Sequence, residues 1–82
     1  MADFVVLDSS KKGQRVVLLD HLGRYHVARA TDSLPPIGAE LIGTYPTGGL
    51  RVLVAESNGD VFRVTFEATY CKPPITLDGL SA

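Results

Sequence analysis

Seven glycines, at positions 13, 23, 38, 43, 48, 49 and 59, fall between short runs rich in Val, Leu, Ile, Phe and Tyr. Glycine reaches positive φ without the clash that β-branched residues suffer there, and tight hairpin turns need that conformation. Turn signals of this kind recur about every ten residues, the spacing of a small all-β barrel or sandwich. No segment sustains a 3.6-residue apolar period of useful length, so long helices are not expected.

The glycine spacing divides the chain into six apolar runs. They cover residues 4–8, 15–20, 24–30, 39–43, 50–56 and 60–70. Residues 9–14 read as a polar turn. His21, Leu22 and Gly23 form a three-residue connection with glycine last, which suits a type I turn closed by a left-handed glycine bulge. That register pairs Leu19 with Tyr25 and Val17 with Val27 on one face, and Leu18 with His26 and Val16 with Ala28 on the other. Pro35 and Pro36 remove ladder donors and push Leu34 toward extended geometry, so residues 31–38 connect rather than pair. Residues 44–49 form a loop or wide turn. Lys72, Pro73 and Pro74 end the last strand. The domain therefore spans 1–71, with 72–82 as a C-terminal tail.

The last hairpin offers two registers. A two-residue Asn58-Gly59 turn sets Val54 against Arg63 and mixes the faces. A three-residue loop, Ser57 to Gly59, sets Val54 against Phe62, Val52 against Val64 and Leu50 against Phe66. A one-residue slip inverts every side chain, so the apolar pattern selects the second register. It buries Leu50, Val52, Val54, Phe62, Val64, Phe66 and Tyr70, and turns Arg51, Leu53, Arg63, Thr65 and Glu67 outward. The turns around Gly23 and Gly59 echo each other faintly, without a usable repeat period.

Size and composition narrow the class. The chain has 82 residues, 45% hydrophobic and 21% charged, which describes one folded domain. A domain this short buries about 60–65% of its unfolded surface, so it needs an efficient core or a partner. The expected fold is all-β: a five- to six-stranded antiparallel barrel, SH3-like, with an OB-like closure as the alternative. Such architecture hosts many functions and selects none.

The chemistry-bearing residues are sparse. Cys71 is the only cysteine, so no internal disulfide forms, and with His21 and His26 it makes no zinc site without carboxylate help. No metal and no cofactor is expected. His21 sits in a turn beside Asp20 and His26 lies within a strand, each without an oriented catalytic partner. Cys71 lacks a helix N-terminus or a base to activate its thiol. Ser9 to Gly13 carries phosphate-loop residue types without phosphate-loop spacing. The chain reads as no enzyme.

Two kinds of surface remain. Arg51, Leu53, Arg63 and Thr65 on the last hairpin, Tyr45 in the loop before it, and Lys11, Lys12 and Arg15 at one barrel end are candidates for binding a partner. Val16, Leu18, His26 and Ala28 are candidates for self-association, because the second hairpin is apolar on both faces. Internal coverage of that second face is the competing reading. The leading expectation is a non-enzymatic protein-interaction module, docking on another protein or on itself as a homodimer. The alternative is a small-barrel nucleic-acid binder using Lys11, Lys12, Arg15, Arg51 and Arg63. A net charge of −1 weighs against it. So does the scarcity of exposed aromatics for base stacking, where only Tyr45 qualifies.

No apolar run approaches the roughly 20 residues of a membrane span. Met1, Ala2 and Asp3 lack the basic start of a signal peptide. A soluble cytoplasmic protein with no membrane partner is expected.

Overall fold

The computed structural model describes residues 2–44 and 49–71, with the backbone alone at 70 and 71. Six strands form: β1 (Ala2–Ser10), β2 (Arg15–Asp20), β3 (Tyr25–Ala30), β4 (Glu40–Gly43), β5 (Leu50–Ala55) and β6 (Val61–Cys71). They close into one barrel in the order β1-β2-β3-β6-β5-β4. Every neighbouring pair is antiparallel. The expected all-β antiparallel barrel is therefore the fold, at the higher strand count and on the scale of small SH3-like and OB-like barrels. Closure pairs the sheet edges that would otherwise template aggregation.

The connectivity is two three-stranded meanders, β1-β2-β3 and β4-β5-β6, sewn together along the β1/β4 and β3/β6 seams. Residues 31–39 join them. As the prolines require, this link is not a strand. Pro35 is fully buried and Leu34 packs on the core. The link is tied to β1, where Gly38 N–H donates to Val6 O at 2.8 Å and Val6 N–H donates to Ala39 O at 3.0 Å. Leu7 is the extra residue of a β-bulge, because Val6 pairs with Leu18 and Asp8 already pairs with Val17.

The β2/β3 register is the one the three-residue turn predicts: Leu19 to Tyr25, Leu18 to His26, Val17 to Val27 and Val16 to Ala28. Gly23 takes φ 82° and its N–H donates to Asp20 O at 3.0 Å.

The β5/β6 hairpin departs from expectation. Leu53 pairs with Phe62, Val52 with Arg63 and Leu50 with Thr65. The loop has four residues, 56–59. Gly59 N–H donates to Ala55 O at 2.9 Å, and Ala55 N–H donates to Asp60 O at 2.8 Å. One extra loop residue inverts β5 and leaves β6 as expected. Phe62, Val64 and Phe66 are buried, but their inward neighbours on β5 are Leu53 and Ala55. Leu50, Val52 and Val54 face out, which corrects the expected buried face. The expected burial of Tyr70 concerns a side chain outside the described residues.

The barrel's interior explains the inversion. Six strands enclose a narrow space that small residues must share with large ones. Phe4, Phe62 and Phe66 occupy it beside Ala2, Ala28, Ala30 and Ala55. Leu53 lies directly against Gly43, where an added Cβ would collide with the Leu53 side chain and come within 2.9 Å of Val52 O. β4 thus has a glycine where β5 brings a leucine.

Candidate interaction surface

The one strong polar cluster among the described side chains lies inside the wall. Asp20 ends β2, and its carboxylate accepts four hydrogen bonds. Oδ1 takes the Leu22 and Arg24 backbone N–H groups, each at 2.9 Å. Oδ2 takes Arg24 Nε at 3.0 Å and His26 Nε2 at 2.8 Å. Burial alone would raise the Asp20 pKa. The hydrogen bonds from His26, from the Arg24 and Leu22 backbones and from the Arg24 side chain outweigh it and hold the carboxyl at about 2. The His26 ring meets Phe4 and Phe66 nearly edge-on, with centroids 5.8 Å and 6.2 Å away. A histidine on a carboxylate is general-base hardware in an open cleft. Here both side chains are sealed from solvent, so the pair fastens the β2–β3 turn to the core.

Sequence neighbours misdirect at this point. Asp20 adjoins His21, which is exposed on the turn. Its partner is His26, six residues on. The register already contained the signal: Leu18 pairs with His26, so Asp20 and His26 share the inward face as diagonal neighbours.

The outer wall of β4, β5 and β6 carries the candidate surface. Inverting β5 leaves Leu50 53%, Val52 46% and Val54 37% exposed, beside Val61 at 54%. Strand register arranges them in rows. One row runs Asp3, Ile42, Val54, Val61 across β1, β4, β5 and β6. Val52 lies beside Arg63. A further row runs Leu50, Thr65, Arg29, Arg15 across β5, β6, β3 and β2. The apolar strip is therefore contiguous, and its two margins differ in charge.

Asp3, Glu40 and Glu56 form the first margin. Glu40 and Glu56 are joined by a backbone hydrogen bond, Glu56 N–H to Glu40 O at 2.9 Å. The Glu56 pKa is raised by desolvation first, then by the charges of Glu40 and Asp3 and a hydrogen bond with Glu40. The second margin holds Arg63 and Arg29, and Arg15 reaches in from β2 to share Glu67 with Arg29. Glu67 accepts from Arg15 at 2.8 Å and from Arg29 at 3.0 Å. Asp32 accepts from Arg63 at 3.0 Å.

The residues singled out from the sequence fall in different places. Arg63 and Thr65 are exposed on the outer wall, and Arg15 joins its basic margin. Lys11 and Lys12 are exposed at the turn between β1 and β2. Leu53 is 0% exposed and belongs to the core, so it contacts no partner. Arg51 is half-buried, paired with Val64 on the inward register, and bonded to Leu50 O at 2.9 Å. The expected placement of Arg51 on the outward face with Arg63 is thereby corrected. Val16, Leu18, His26 and Ala28 are all fully buried inside the barrel, so they form no self-association face. The other face of that hairpin is covered as well: Val17 and Val27 are buried, with Tyr25 and Ala68 packed against them. Tyr45 lies outside the described residues, as do 72–82. Of Cys71 only the backbone is described.

Among the described residues no three His, Cys, Asp or Glu side chains converge to hold a metal ion. No helix among them is long and apolar enough to cross a membrane. Comparison of the chain with protein-family models, with curated proteins and with solved structures finds no match. Fold and surface together define a small closed β-barrel that carries one amphipathic outer face.

Proposed function

We propose that this barrel is a non-enzymatic protein-interaction module, and that its contact face is the outer wall of β4, β5 and β6. One observation carries the reading. Four large aliphatic side chains are about half exposed and adjacent, on a wall whose register leaves no room for them inside. A contiguous apolar patch rimmed by charge is the usual form of a docking surface. A phosphate-binding reading has less support, because Arg51, one of its five residues, is half-buried on the inward register of β5, and the net charge of the chain is −1. A cytoplasmic setting accords with the single cysteine.

The test compares the wild-type chain with Val54→Glu and with Val61→Lys. Both variants stay folded, with a cooperative thermal melt, since exposed positions tolerate charge. Both lose association with partner protein, whether another chain or a copy of this one. Association unchanged in folded variants would remove the β4–β6 wall from consideration. Binding that is lost with added salt and persists in Val54→Glu would favour the phosphate-binding alternative.

A further inference from the structure

The exposed strip is bordered by opposite charges on its two sides, and that pattern selects an occupant. Asp3, Glu40 and Glu56 border it toward β1. Arg63 and Arg29 border it toward β3. A partner of single-signed charge would match one margin and be repelled by the other. A surface that is acidic at one side and basic at the other is complementary to itself.

We infer that the occupant of this wall is a second copy of the same chain, docked face to face about a twofold axis that lies in the interface plane, perpendicular to the line joining the two margins. That operation lays the acidic margin of each copy over the basic margin of the other and brings the two apolar strips together. Closed twofold association of this kind uses the same patch on both partners. The inference rests on the docking face proposed above and names what sits on it.

Area and charge both support the arrangement. A stable interface takes about 800 Å² from each partner. That is about a sixth of this chain's 4790 Å² of accessible surface. Four half-exposed aliphatic side chains fall short of it, so the margins must take part. The intramolecular pairs Arg63–Asp32 and Arg29–Glu67 are solvated on the surface, and pairs of that kind re-form with new partners at little cost. At the other margin Glu56 pairs with Glu40 of β4, and desolvation first, then the charges of Glu40 and Asp3, raise its pKa. Guanidinium groups from a second copy would relieve that repulsion.

A charge-swap experiment on the full chain tests the inference. Molar mass is measured by light scattering across a concentration series. The wild type is expected to reach twice the 8.8 kDa chain mass. Glu40→Lys/Glu56→Lys sets basic margins against basic ones, and Arg29→Glu/Arg63→Glu sets acidic against acidic. Each double variant is expected to be folded and monomeric. An equimolar mixture of the two restores both attractive contacts and therefore the dimer mass. Thermal melts of each variant separate lost association from lost folding.

A wild type that stays monomeric at its highest soluble concentration overturns self-docking, and leaves the wall as a site for a different protein. A dimer that forms but survives Val54→Glu in the folded variant overturns the choice of wall, and with it the docking face proposed above. Folded variants whose mixture stays monomeric overturn the twofold charge arrangement.

Discussion

The β2–β3 and β5–β6 hairpins hold corresponding places in the two meanders, yet they end in opposite states. Both turns close on a glycine in the left-handed region, Gly23 at φ 82° and Gly59 at φ 77°. The first turn has three loop residues and the second has four. Asp20 locks the first with four hydrogen bonds from inside the wall. Asn58 braces the second only at the surface, accepting from Asp60 N–H and donating to Asp60 Oδ2, both at 3.0 Å. Both faces of the first hairpin are covered, whereas the second leaves a row of aliphatic side chains outside. Similar turn grammar thus serves a hairpin covered on both faces and one that leaves an apolar face exposed. Loop length and the neighbouring strands decide which.

Four measurements would break or sharpen that contrast. The largest effect is expected for Leu53→Ala, a truncation in the core that should cost about 3 kcal/mol in urea unfolding. Leu50→Ala, three residues away on the outer wall, should cost under about 1 kcal/mol. Under a three-residue β5–β6 loop this order would reverse, so the pair tests the register itself.

Acid titration should next pick out the first hairpin. Asp20 has a folded pKa of about 2 against an ordinary value of 3.8. A depressed carboxylate stabilises fully above the unfolded value and stops doing so as pH falls through the folded one. Stability should therefore fall by about 2 kcal/mol between roughly pH 5 and pH 2 through this group. Asp20→Asn should lower stability at neutral pH and flatten the acid limb; an unchanged limb would mean the four hydrogen bonds do not favour the charged form. Glu56, with a raised pKa, works in the opposite sense, and Glu56→Gln should slightly raise stability near neutrality.

A third contrast uses matched outward positions. Val17→Thr buries a hydroxyl under the first hairpin's cover and should cost about 1–2 kcal/mol. Val52→Thr stays exposed, within about 0.5 kcal/mol of wild type. Equal losses in thermal melts would contradict the claim that only one outer face is covered.

The smallest difference concerns the turns. Gly23→Val and Gly59→Val should each cost about 1 kcal/mol or more through left-handed backbone strain. An added Cβ meets nothing within 4 Å at either position, so the two costs should be similar. A large inequality would show that one turn readily relaxes.

The fold was most legible in the sequence where the patterns were one-sided. In β6, Phe62, Val64 and Phe66 alternate with Arg63, Thr65 and Glu67, and the first three are buried and the others exposed, as that alternation requires. The β2–β3 pairing followed from a turn whose glycine could take only one place. β5 was illegible because Leu50, Val52 and Val54 outweigh Leu53 and Ala55 in apolar bulk, although the latter are inside. Counting apolar groups rewards the bulkier face, whereas a narrow barrel that already holds three phenylalanines accepts the smaller one. The candidate surface was misread for the same reason, since Leu53 and Leu50 exchange places when β5 inverts.

Alternation and turn chemistry act over a few residues, and from them alone follow the antiparallel all-β barrel class at five to six strands, the β2–β3 turn and register, and the inward face of β6. Tertiary structure alone decided how β5 sits, that Asp20 reaches His26, and that acidic and basic margins flank one apolar strip. Those outcomes depend on closure, which brings together strands far apart in the chain and lets the volume of the interior choose among locally equivalent registers.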